Sequence, residues 1–204
     1  PHHYTVDSSN ACSDFTFSGQ PFGVAVTAFN AANAKTRNFD GSGGMSPAQA
    51  SDVTLSLVGN STGTAGSLAN TTVGAASFNQ GVASIAALST SPKFTFTDKM
   101  GAPTSISLRA TGSNSISSSG YQEGQIALRS GRLKVFNKFG SEKQSMEVDV
   151  QSQYWTGRAW VINAKDSCTT VPKNAMALSN YQDNKGVATA SWTTAPKDPL
   201  IVSS

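Results

Sequence analysis

Charge is scarce in this chain, and so are the residues that most catalysis relies on. Charged residues make up 13% of 204 positions, and there are only 2 histidines, 2 cysteines and 3 glutamates. Hydrolysis needs a convergent set such as paired carboxylates or a Ser, His and Asp group. Both histidines, His2 and His3, stand side by side at the amino end. Neighbours in a strand point to opposite faces, which argues against a two-histidine metal site. Glu147 and Asp149 fall on one strand face about 7 Å apart, but on a wet face two acids ordinarily serve solvation. Asp40-Gly41-Ser42-Gly43-Gly44 offers one carboxylate where a calcium loop has several, so a glycine turn is its expected role. No catalytic residue, metal ligand or cofactor is assigned, and a non-enzyme is expected.

Long apolar runs are missing too. Without a signal peptide or a membrane-spanning run, direct membrane insertion is not expected, and Pro1 reads as the start of a segment excised from something longer. The formal net charge is +3, and it is unevenly placed. Residues 1–120 balance Lys35, Arg37, Lys93, Lys99 and Arg109 against Asp7, Asp14, Asp40, Asp52 and Asp98, so the whole excess lies after them. There the charges are scattered along alternating strands as a solvated face, and no nucleic-acid partner is expected. Cys12 and Cys168 are too far apart for a redox or zinc motif. They suit one long-range disulfide in an oxidising compartment, with two buried free thiols as the alternative.

What the chain does hold is alternation. Phe22, Val24, Val26 and Ala28 face one way, and Val53 to Leu57, Val82 to Leu88, Phe94 to Phe96 and Ser105 to Ala110 repeat the pattern at the short, regular spacing of a sandwich. His3 to Val6, Phe15 to Phe17 and Thr36 to Phe39 read as further short strands. Asn60 to Gly66 is a polar loop. Thr111 to Gly120, TGSNSISSSG, is the most linker-like stretch. From Ile126 to Trp160 the chain reads as a strand meander, closed by a tight turn at Thr156-Gly157-Arg158. Beyond it, Val187 to Trp192 alternates again and Leu200-Ile201-Val202 forms an apolar tail.

These patterns predict an all-β protein. An immunoglobulin-like antiparallel β-sandwich over residues 1–112 is expected to precede a second sandwich or meander lobe over 121–204, the two coupled by a Cys12 to Cys168 disulfide. Tyr154, Trp155 and Trp160 flank the tight turn and are the best binding candidates, because aromatic rings on a β-surface stack on sugar faces. A cross-strand aromatic pair is also a common hairpin stabiliser, contributing about 0.2 to 1 kcal/mol.

The words RSGRLKVFNKFGSE, QSQYWTGRAWV and DSCT, with HHYTV, ACSDFTFSGQPFGVAVTAFNA and NFDG upstream, resemble a domain of the MshQ-like proteins associated with MSHA-type type IV pili. The order VxVTAxNA, NFDG, VTLSL, GVASI, FTFTDK, ISLRATG resembles bacterial immunoglobulin-like modules of invasins and adhesins. The resemblance implies a secreted protein of the bacterial surface or pilus. Its expected partners are other pilus or surface proteins, copies of itself, or surface glycans. It favours the disulfide over free thiols. One expectation that goes with it is fibre assembly by edge-strand addition, with Leu200 to Val202 or the Tyr4 to Val6 strand donated to a neighbour.

Overall fold

In a computed structural model, the described residues are 1–44, 46–47, 49–137, 148–171 and 202–203. Their secondary structure is strand, punctuated by three short 3-10 turns. Two compact units are present. One comprises Pro1–Gly131 with Tyr154–Val161, the other Arg132–Gln153 with Ile162–Ser204.

The first unit is a β-sandwich. One sheet has the order β1 (His3–Ser9), β3 (Gly23–Phe29), β8 (Val82–Ile85), β7 (Phe78–Asn79). The other runs β2 (Thr16–Phe17), β11 (Gly124–Arg129), β10 (Thr104–Thr111), β4 (Val53–Val58), β6 (Thr72–Val73). A separate ribbon pairs β5 (Gly66–Ala69) with β9 (Lys93–Phe96). All of these pairs are antiparallel except β2 with β11, where Thr16 and Phe17 lie parallel to Leu128 and Arg129.

Alternation dictates which face is buried. Val24, Val26 and Ala28 of β3, Val53 and Leu55 of β4, Ile106, Leu108 and Ala110 of β10, and Ile126 and Leu128 of β11 all enter one core. Phe22, Phe78, Phe94 and Tyr4 fill its volume, and Phe39 packs edge-on against both Tyr4 and Phe78. Burial pushes the Tyr4 phenol up to about 12.

Three expectations change here. Thr36 to Phe39 is not a strand: the Phe39 amide donates to the Thr36 carbonyl at 2.9 Å, a tight turn that drops the Phe39 ring into the core. Gly66, expected to end the polar loop that starts at Asn60, instead opens β5 and pairs with Phe96 of β9. Thr111 to Gly120 does not separate two lobes. It joins β10 to β11 within one sheet, where Ser118 is buried, its amide donating to the Ala110 carbonyl (2.9 Å) and its hydroxyl accepting from the Ala110 amide (3.0 Å). The first unit therefore continues through β11 to Gly131 rather than stopping at 112.

The second unit takes up most of β12 (Gly131–Val135), the first four residues of β13 (Val150–Trp155) and the end of β14 (Trp160–Ile162), strands that lie in the order β12, β13, β14. Val150 and Gln151 also pair in parallel with β15 (Val202–Ser203). Arg132 donates twice to the Gln153 side-chain oxygen, at 2.9 and 2.8 Å. Burial pushes the Asp166 carboxyl up, but hydrogen bonds from the Ser152 and Thr169 hydroxyls and the Thr169 and Cys168 amides outweigh it and hold the group low. Every residue of β12 is exposed, with Leu133 and Val135 among them. Both cysteines of the chain, Cys12 and Cys168, are disulfide-bonded. Among the described residues no helix is long and apolar enough to cross a membrane, which says nothing of a β-barrel.

Candidate functional site

The aromatic hairpin forms around its turn. The Thr156 amide and hydroxyl both donate to the Ala159 carbonyl at 3.0 Å, and Gly157 takes φ +96°, a conformation side chains disfavour. This closure brings Trp155 and Trp160 together, ring centroids 5.6 Å apart and tilted by 55°. Both rings are half-buried. The Trp155 amide donates to the Ser130 carbonyl at 3.0 Å, tying the hairpin to the end of β11.

Tyr154 plays a different part. The Arg129 guanidinium lies 4.5 Å from the centroid of its ring and 4.7 Å from that of Phe15, so one cation contacts two aromatic rings. Phe15 is fully buried and meets Phe17 edge-on at 4.9 Å. One face of Tyr154 is thus occupied by packing, although Tyr154, Trp155 and Trp160 are all half-buried. Sequence spacing brings the three aromatics together but hides Arg129 and Phe15 as partners.

The remaining candidates fall as follows. Val202 lies in β15, paired with Val150 of its own chain; Leu200 and Ile201 lie outside the described residues, as do Glu147 and the alternating stretch Val187 to Trp192. The sulfurs of Cys12 and Cys168 are committed to their disulfide, so neither is a thiolate ligand for a metal. Asp40 is buried at the mouth of its glycine loop. Its Oδ1 accepts from the Ser42 hydroxyl (2.7 Å) and amide (2.9 Å). These bonds, hydroxyl first, with the Gln80 amide, hold the carboxyl low against burial. That is the turn-stabilising role expected of an Asp before glycine.

His2 and His3 do not point to opposite faces as expected: their Nδ1 atoms lie 3.3 Å apart and their rings meet edge-on, centroids 5.6 Å apart. His3 is stacked between Tyr121 (3.6 Å) and Phe29 (5.3 Å), and burial, then the neighbouring His2, lowers its pKa.

Residues 1–131 match the family described as DUF6701, third domain, and residues 129–199 match DUF6701, fourth domain. No curated protein and no solved structure matches the chain.

Proposed function

The chain belongs to the DUF6701 family, and on that premise we propose that it is a non-enzymatic structural and adhesive segment of a secreted, surface- or pilus-associated protein of the MshQ-like kind. The observation that carries this reading is the disulfide between residues far apart in sequence. Such bonds persist in oxidising compartments outside the cytoplasm. The β-sandwich, with its continuous apolar core, suits a spacer. Its partners on this reading are other surface proteins or further copies of itself.

In the self-assembling variant, the exposed β12, an edge strand among the described residues in which Leu133 and Val135 alternate with Arg132 and Lys134, is the accepting edge, because an open edge strand templates pairing. Light scattering and negative-stain microscopy of the non-reduced protein over a range of concentrations test it. Ordered fibres that vanish on deleting Pro199 to Ser204 support strand donation. Fibres that survive the deletion refute it, and a monomer at every concentration leaves the protein a module of a longer one.

A second reading, a carbohydrate-binding surface, is favoured by the partial exposure of Trp155 and Trp160. Trp155→Ala and Trp160→Ala proteins that stay folded but lose a glycan response support it; unfolding of both assigns the rings to packing.

A further inference from the structure

On the first unit, away from the aromatic hairpin in sequence, an open, shallow cavity of about 650 Å³ lies on the outer face of β7 and β8. Its lining is Lys35, Arg37, Ser77, Asn79, Gln80 and Ser84, with Val82 as the one aliphatic side chain. We propose that this cavity binds an acidic glycan, its carboxylate held by Lys35 and Arg37 and its hydroxyls by the neighbouring amides and hydroxyls.

The cations are held by design of the backbone. Lys35 and Arg37 flank Thr36, whose amide donates to the Ala28 carbonyl of β3 at 2.9 Å. The turn before them is fixed by Asn30, whose side-chain oxygen accepts from the Ala32 and Ala34 amides at 2.9 and 3.0 Å. On the other wall, β7 and β8 are joined by Gln80-Gly81, both at positive φ (+46° and +85°), the geometry of a two-residue hairpin turn. A Cβ on Gly81 would stand 2.7 Å from the Thr36 carbonyl oxygen. Glycine there lets the turn and the cationic loop approach each other, and this approach shapes the cavity. Because the backbone carrying both cations is already fixed, binding has only their side chains left to order.

Charge selects the ligand's sign. None of the five acids of residues 1–120 lines the cavity, although Lys35 and Arg37 are two of the five cations there. Neither cation has a carboxylate within ion-pair distance among the described residues. Asp40, behind Gln80, is buried and turned to Ser42. Arg and Lys beside each other suit a carboxylate, which accepts charge-assisted hydrogen bonds. Chemistry also selects the class. Asn79, Gln80, Ser77 and Ser84 donate and accept as sugar hydroxyls require, whereas the lining has no aromatic ring on which a nucleobase stacks and no apolar pocket for a peptide side chain.

The test is calorimetric titration of the non-reduced protein with a short oligogalacturonate and with a neutral galactan oligosaccharide of the same length. Saturable binding of the acidic sugar is expected, at least about tenfold tighter than the neutral one, the worth of one charge-assisted contact. Lys35→Gln and Arg37→Gln are each expected to weaken it about tenfold or more, and Asn79→Ala to weaken it less, with melting temperatures unchanged because all three side chains are exposed. Absence of saturable binding overturns the proposal. So does equal affinity for the neutral sugar, or affinity untouched by the Lys35 and Arg37 substitutions. Binding that survives Asn79→Ala undiminished and is matched by any polyanion overturns it as well, since that is charge attraction and not a glycan site. Trp155→Ala should leave this titration as it was.

Discussion

Replacing Arg129 by methionine removes a cation from between two rings while keeping most of the aliphatic stem. Contacts of this kind contribute about 0.5 to 1 kcal/mol where exposed and about 2 where desolvated. The Phe15 ring, 4.7 Å away, is fully buried, so that contact belongs near the upper value; the half-buried Tyr154, at 4.5 Å, belongs near about 1 kcal/mol. Arg129→Met should therefore cost about 2 to 3 kcal/mol, less whatever packing the methionine recovers. The single substitution mixes both rings and the other contacts Arg129 makes. A double-mutant cycle with Tyr154→Leu, measured by urea denaturation, isolates one of them. A coupling of about 1 kcal/mol is expected. A coupling within about 0.3 kcal/mol of zero, the scatter of independent sites, would refute the clamp and return Tyr154 to the pool of binding residues.

Three further outcomes follow from the same geometry. Phe94→Ala, at a fully buried site, should destabilise by about 3 to 5 kcal/mol, and Leu88→Ala, at 63% exposure, by no more than about 0.5, both by chemical denaturation; similar losses at the two would contradict the core assignment. Replacing both Cys12 and Cys168 by serine releases a loop of about 157 residues and should cost up to about 5 kcal/mol in the chain-entropy treatment, read as a lower melting temperature that reductant no longer changes. Because the folded pKa of His3 is depressed, its contribution is complete above the unfolded value of about 6.5 and is lost as pH falls through that value toward the folded one. His3→Phe should flatten the melting-temperature profile between about pH 7 and pH 5, and an unchanged slope would remove His3 from the account.

The sandwich was legible because its strands alternate cleanly: the face carrying Phe22, Val24, Val26 and Ala28 is the buried one. The aromatic hairpin was legible for a local reason, since a glycine turn places Trp155 and Trp160 within a few residues of each other. What stayed hidden is long-range. Ile126 and Leu128 run on into Leu133 and Val135 as one meander by eye, yet the first pair joins β10 and the second is exposed on β12. Nothing in local alternation reveals that switch. Phe39 looks like the end of a strand because it is apolar after polar residues; its real role as a plug depends on Tyr4 and Phe78, which no spacing connects to it. The cationic cavity is of the same kind, its walls supplied by segments some forty residues apart in sequence, about the distance between Lys35 and Asn79.

The covalent bond between Cys12 and Cys168 also fixes how the chain would carry tension. A pull applied upstream of Cys12 and downstream of Cys168 passes through the sulfur bridge, and the backbone between them bears none of it. Stretched out, that shielded backbone would measure about 500 Å at roughly 3.3 Å per residue. Oxidised, the protein carries load through the bridge and spares β2 through β14; reduced, the backbone between the cysteines becomes a reserve of extensible length. Single-molecule extension with and without reductant reads the difference directly, and equal contour lengths in the two conditions would rule out the shunt.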